Sequence, residues 1–184
     1  MSDPADLRAF LDHAWQRLSR GVADRRSDAR NVAFATVSSE GMPEVRTVVL
    51  RAARQSRAVV EVHTDVASAK IAALEAGSDA QLMIWDARAK LQLRLSARVE
   101  ILGGEAVADI WAKVPEASRV SYGKTPALAS PIEHPHAYEV LSDRDAFRVL
   151  RCHLQRIDLV ELGEIHRRAI FHANMDWRGE WVVP

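Results

Sequence analysis

The segment from Lys90 to Leu102 constrains this chain most. Leu91, Leu93 and Leu95 alternate with Gln92, Arg94 and Ser96. Successive side chains on a strand point to opposite faces, so this period gives one dry face and one wet face. Such a strand needs partners, and the sequence supplies them. Asn31–Ser38 is short, apolar and β-prone. Ser39-Glu40-Gly41-Met42-Pro43 is turn chemistry, and Glu44–Arg51 returns as the second arm of a hairpin. Ala58–His63 reads as a third strand. Ala80–Asp86 reads as a fourth, joined to Lys90–Leu102 through Ala87-Arg88-Ala89. Phe147–Glu161, His166–Ala173 and Trp181–Val183 complete the series.

The spacing predicts few helices. Asp3 is an N-cap candidate and Pro4 suits a first turn. Leu7, Phe10, Leu11, Ala14, Trp15 and Leu18 then form one apolar stripe, with Gly21 as the expected stop. Ala23–Asn31 reads as a polar connector. Thr64 or Asp65 is expected to cap a short helix ending near Gly77. Gly103-Gly104 breaks the sheet. Glu105–Lys113 is expected to be helical, with Ala106, Ile110 and Trp111 inward, and Asp143–Ala146 to start a helical turn. Pro115–Tyr138 holds four prolines, has little periodicity and reads as a long ordered loop able to shape a pocket. Many antiparallel strands with few helices interposed predict a mainly β fold, a small barrel rather than a doubly wound sheet. The 184 residues are expected to form a single domain, with a helix over 1–22 and the long loop over 115–138.

Composition narrows the function. Lys+Arg and Asp+Glu number 25 each, so the formal net charge is zero, which argues against generic nucleic-acid binding. No run of roughly 20 apolar residues is available to span a membrane. The acidic N-terminus is unlike a signal peptide, and the single cysteine, Cys152, excludes a disulfide framework. The expected address is the cytoplasm. Cys152 reads as a buried, inert thiol, and the five tryptophans as packing or interface residues.

No Gly-rich phosphate loop, His-Glu-x-x-His or Gly-x-Ser-x-Gly motif is present. His134-Pro135-His136 reads as an exposed loop, short of the ligands a metal would need. A more informative cluster is Arg46-Thr47-Val48-Val49-Leu50-Arg51, followed by His63-Thr64-Asp65 and Ser68-Ala69-Lys70. Helix N-termini attract phosphate, and arginine forks grip it. These residues suit one phosphate monoester. Alternatively, Arg46 and Arg51 are solvated strand residues, and their opposite parity points them to opposite faces.

In order and spacing these blocks resemble the flavin-binding signature of the pyridoxamine 5'-phosphate oxidase-like family. There an Arg, apolar residues and a Lys or Arg precede Tyr-Thr-Asn and Ser-Arg-Lys. Gln92 and the ending Trp181-Val182-Val183-Pro184 are similar to further family positions. The resemblance runs from about Asn31 to the C-terminus.

The resemblance implies a split β-barrel homodimer with FMN in clefts at the subunit interface. Arg46 and Lys70 would hold the FMN phosphate, with Ser68 and Ala69 in the same block. Thr47, Val48 and Val49 would run beside the ring, the valines offering backbone groups, and Arg51 would sit near the ring or the substrate. His63 and Thr64 would line the ribityl–phosphate region, and Gln92 would bond the pyrimidine edge. The departures fall mostly on the substrate side. Ala69 replaces an Arg and Val160 stands near a flavin-packing Trp. Ile110 and Val114 stand where the oxidase clamps its substrate phosphate with Tyr and Arg, although Ser118 is kept. His166-Arg167-Arg168 lies where the oxidase has Arg-x-His. The expected function is an FMN-dependent oxidoreductase with a substrate other than the oxidase's own, or a non-catalytic flavin carrier. No acid or base is assigned; His63, His134, His166 and Arg168 are the candidates.

Overall fold

The structure is a computed structural model that describes residues 6–184. Asp3 and Pro4 lie outside the described residues. Helix α1, Leu7–Ala23, is capped by Asp6, whose side chain accepts from the Ala9 N–H. Its stripe is buried as its spacing requires: Phe10, Leu11, Ala14, Trp15 and Leu18. Gly21 does not end the helix. It sits inside the last turn because a Cβ there would lie 2.4 Å from the Ala29 carbonyl oxygen. The connector packs against that turn through a short 3-10 segment, Asp28–Arg30.

The strands are β1 (Asn31–Val37), β2 (Pro43–Arg54), β3 (Val59–Asp65), β4 (Asp79–Asp86) and β5 (Leu91–Leu102), followed late in the chain by β8 (Phe147–Glu161), β9 (Arg167–His172) and β10 (Gly179–Val182). All pairings are antiparallel. The order β8-β3-β2-β1-β4-β5 closes because β5 also pairs with β8. The result is a six-stranded barrel, and β9 and β10 extend the sheet beyond β8. Inward residues such as Phe34, Leu50, Leu82, Leu93, Leu95 and Leu150 are at most 1% exposed. Helix α1 packs on β2 and β10, where the Phe10 and Trp181 rings stack at 5.5 Å.

Helix α2 is Ala69–Ala76, with Ser68 at its N-cap position and Gly77 at its end. The expected cap at Thr64 or Asp65 is corrected: both residues pair with β8, opposite Arg148 and Phe147, and belong to β3. The expected helix over Glu105–Lys113 splits into a 3-10 turn at Gly104–Val107 and a short α3, Ala108–Ala112. Val107 is buried there and Ala106 exposed, the reverse of the expected inward Ala106. The long loop carries α4 (Glu116–Arg119) and β6 (Lys124–Thr125), which pairs with β7 (Glu139–Val140). Asp143–Ala146 forms a turn, not a helix. Val107, Val114, Tyr122, Ala146, Phe147 and Val149 make a second, smaller core beneath this loop. Among the described residues no helix is long and apolar enough to cross a membrane.

Candidate functional site

A cleft of about 270 Å³ opens where the outer face of β2 and β3 meets the start of α2 and the loop at 121–128. Thr47, Val49 and Arg51 alternate onto it from β2. Val48 is a core residue that borders it. The β2–β3 register slips between Leu50 and Ala52, which places Arg51 in a β-bulge. Bulges re-aim side chains. Here the side chain reaches the cleft, its Nε buried and, among the described residues, without a hydrogen-bond partner.

One end of the cleft is a cationic corner. Lys70 Nζ donates to Thr64 Oγ1 at 2.8 Å and to Ser68 Oγ at 2.6 Å. The Ser68 hydroxyl therefore receives the ammonium and makes no side-chain cap to α2. Burial pushes the Lys70 pKa down, and the Arg46 charge adds to that. Lys70 thus stands beside the first-turn N–H groups of a helix, with the Arg46 charge close enough to be felt, an arrangement that attracts an anion. Arg46 approaches from the barrel rim. Its guanidinium donates to Thr36 Oγ1 at 2.7 Å, to the Phe34 carbonyl at 3.3 Å and to Glu44 at 2.5 Å. The opposite parity of Arg46 and Arg51 is realised: Arg46 faces β1 and Arg51 faces the cleft.

The other wall comes from far along the chain. Asp65 Oδ2 accepts the Gly123 N–H at 2.7 Å, and its Oδ1 accepts the Ala67 N–H at 2.7 Å. That carboxylate carries Ser121, Tyr122 and Leu128 to the cleft. Gly123 has φ +71°, a conformation that favours glycine. Tyr122 packs edge-on to Phe147 at 4.9 Å, and His63 also packs edge-on to Phe147 at the same separation. Burial, helped by the Arg51 charge, lowers the His63 pKa to about 4, so the imidazole is neutral at pH 7. Burial raises the Tyr122 pKa, so the phenol stays protonated.

The sequence candidates divide accordingly. Thr47, Val48, Val49, Arg51, His63, Thr64, Ser68 and Lys70 line one cleft. Arg46 lies beside it, and Ala69 is exposed at the start of α2. Gln92 is on β5, opposite Trp85 of β4 and Val160 of β8. In the closed ring β5 is three strands from β2 in either direction, so Gln92 is on the opposite wall. Near it the Asp158 carboxylate, 1% exposed, takes Arg94, Arg156 and Arg168 together. Burial works to raise the Asp158 pKa, but hydrogen bonds from Arg168 and Arg94 outweigh it and hold it low. His134, His136 and His166 are exposed. Cys152 is buried with its thiol pKa pushed up to about 12. Among the described residues no three His, Cys, Asp or Glu side chains group to hold a metal. A larger hollow of about 610 Å³ beside α1, between Trp15 and Trp177, gathers none of the candidates.

Ser121, Tyr122 and Leu128 are site residues that the sequence does not single out, because the long loop points to a pocket without saying which residues line it. Asp65 belongs to the His63-Thr64-Asp65 block, but the sequence gives no sign that it holds Gly123.

Comparison with known proteins gives the family and the fold. Residues 12–103 match the family model of the pyridoxamine 5'-phosphate oxidase FMN-binding domain. A pyridoxamine 5'-phosphate oxidase-related, FMN-binding protein from Nostoc punctiforme is similar over 100% of both chains, with 23% identity and a TM-score of 0.76. PhzG from Burkholderia lata, solved with tetrahydrophenazine-1-carboxylic acid, is similar over 99% of this chain and 95% of its own, with 17% identity and a TM-score of 0.74. A general stress protein 26-related protein of the pyridoxinephosphate oxidase family from Clostridium acetobutylicum covers 92% of this chain and 98% of its own, with 12% identity and a TM-score of 0.62. At these identities the likeness is one of fold. No curated protein matches the sequence.

Proposed function

The chain belongs to the pyridoxamine 5'-phosphate oxidase family of FMN-binding domains, and from that premise we propose that it binds FMN in the β2–β3 cleft and works as a flavin-dependent oxidoreductase. The observation that carries this reading is the Lys70 corner. The ammonium is half-buried, is oriented by two hydroxyls and, among the described residues, has no carboxylate in ion-pair contact. A phosphate monoester completes it, taking charge-assisted bonds from Lys70 and from the first turn of α2. The fit extends along the cleft, where the half-buried Arg51 side chain adds a second cation to the lining. When bound, FMN supplies the electron chemistry, and the protein supplies placement and electrostatics.

The chain's own residues divide the work. Thr64 and Ser68 hold the ammonium. Thr47 and Val49 give the flat wall of β2. Neutral His63 adds no charge, and the Tyr122–Leu128 wall keeps water from one side. The carrier reading would leave this outer wall without a task. Ile110 and Val114 are placed around the smaller core, with Val114 7% exposed, so they offer no phosphate clamp. This favours a substrate other than pyridoxamine 5'-phosphate.

A cleft of 270 Å³ is small for a cofactor with a tricyclic ring, since ligand sites usually hold about 300–1,000 Å³. A second copy would complete it. The outer face between the two walls supports this: Val45, Met83 and Trp85 are 70%, 38% and 43% exposed around the small Ala33 and Ala35. A two-fold contact over that face brings Gln92 of one copy toward the cleft of the other.

The test is an absorption spectrum after FMN addition and desalting, with the mass measured by light scattering. Flavin bands at about one per chain in a dimer are expected. A colourless protein that takes up no FMN removes the flavin reading.

A further inference from the structure

Beyond the cleft, the outer face of β3 leads to a second pocket. Val60 and Val62 belong to the core, so Val59, Glu61 and His63 share the outer face. His63 lines the cleft, and Val59 lines a separate pocket of about 270 Å³, about 13 Å farther along the strand. The rest of that pocket is Arg54, Arg57, Glu100, Arg151 and His153. Glu61 lies beneath it, only 2% exposed, and aims two of its walls. Glu61 Oε1 accepts from Arg151 Nε at 2.8 Å, and Oε2 pairs with Arg54 at 3.0 Å. Burial works to raise the Glu61 pKa, but Arg151 and Arg54 outweigh it and keep the group ionised. The turn that carries Arg54 and Arg57 is tied down as well. Ala58 is left-handed at φ +48°, its carbonyl accepts the Leu154 N–H at 2.9 Å, and the Gln55 side chain donates to Asp12 of α1 at 2.7 Å. Among the described residues Arg57 has no carboxylate in ion-pair contact. Glu100 is engaged by His153 at 3.1 Å and by Arg151 at 3.6 Å.

We propose that this pocket is a second anion site, built for a phosphate or diphosphate group and separate from the Lys70 corner. Its lining sets three guanidiniums against one carboxylate, which leaves two positive charges in surplus with His153 neutral. A phosphate dianion matches that surplus, and planar guanidinium forks donate to its oxygens in pairs. A monocarboxylate would leave one charge unanswered. Glu61 does not oppose the ligand, because each of its oxygens is already taken by a guanidinium. Two of the three forks are held before a ligand arrives, so little side-chain freedom is lost on binding. The site belongs to the chain itself; its role rests on the flavin reading, in which it takes the far end of an extended substrate whose reacting end lies in the cleft. Strands β2 and β3 run beneath both, with Arg51 at the cleft and Arg54 at the pocket.

The experiment is calorimetric titration of pyrophosphate into the full chain carrying Lys70→Ala, which removes the cation of the other corner, with acetate at equal ionic strength as the control. Saturable pyrophosphate binding and no saturable acetate binding are expected. Adding Arg57→Ala, which leaves both Glu61 pairs whole, is expected to weaken pyrophosphate at least about tenfold, the loss of one charge-assisted fork. Should either variant not fold by circular dichroism, Lys70→Gln or Arg57→Gln takes its place with the same expectation. In the parent chain, pyrophosphate binding is expected to persist when FMN is added. No saturable binding, equal binding of acetate, unchanged affinity after the loss of Arg57, or displacement by FMN overturns the proposal. Failure of the parent to retain FMN removes the flavin reading alone, because the pyrophosphate heat is read without it.

Discussion

Asp65 and Gly123 lie 58 residues apart in sequence, yet one hydrogen bond of 2.7 Å from the Gly123 N–H to Asp65 Oδ2 joins them. The acceptor ends β3 and the donor immediately precedes β6, so the contact fixes the spacing between the two walls of the cleft. Asp65→Asn keeps the size but turns one acceptor into a donor facing an N–H. We expect it to destabilise the fold by about 1–3 kcal/mol, seen in urea unfolding, with faster proteolysis near 121–128. Unchanged stability and unchanged cutting would mean that the loop is held by its aromatic core alone.

The two cations of the corner are not equivalent. Lys70 is held by hydroxyls and, among the described residues, has no acid in ion-pair contact, whereas Arg46 is engaged by Glu44 at 2.5 Å. Lys70→Ala is expected to weaken FMN roughly ten- to hundredfold, and Arg46→Ala roughly threefold. Riboflavin, which lacks the phosphate, should bind both variants as it binds the parent. An Arg46 effect larger than that of Lys70 would reassign the phosphate.

His63 links stability to pH. Its ordinary pKa is 6.5 and its folded value about 4. Between those values the unfolded chain binds a proton that the folded chain refuses, so stability falls as the pH drops from 6.5 toward 4. Between pH 7 and pH 5 the loss from this residue should be on the order of 2 kcal/mol. His63→Gln should flatten that part of the urea-midpoint profile. An identical slope in the variant would show that other groups carry it.

Gly21 offers a test of packing against propensity. Alanine is worth about 1 kcal/mol more than glycine inside a helix. Here its Cβ would meet the Ala29 carbonyl at 2.4 Å, and backbone yields poorly. Gly21→Ala is therefore expected to lower stability by about 1–3 kcal/mol. A stabilised variant would mean that the connector moves freely.

The strands were legible because their period is enforced by a two-sided environment. Leu91, Leu93 and Leu95 are fully buried while Gln92, Arg94 and Ser96 face outward, and β8 begins and ends at the residues its pattern marks. The errors arose where a long-range partner overrode a local signal. Thr64 and Asp65 have cap chemistry, but pairing with Arg148 and Phe147 holds them in a strand. Gly21 is a stop by local preference, but close approach of Ala29 keeps it inside the helix. In the site, the β2–β3–α2 wall could be read because its residues are neighbours in sequence. The Tyr122 wall could not, because nothing near Gly123 announces a carboxylate at position 65.

Strand β8 spans 15 residues and pairs with β3, β5 and β9. A chain emerging from the ribosome makes the first five barrel strands long before it makes this one. Until residue 147 arrives, β3 and β5 each present an unpaired edge, and the Asp65–Phe147 end of the cleft has no floor. The nascent protein thus lives for a time as an open, sticky sheet. The β3–β8 and β5–β8 ladders that close the barrel are non-local, so closure is a slow, late event. A truncation before Phe147 would leave both edges open for good, which makes the final fifth of the chain the guard against aggregation for everything before it.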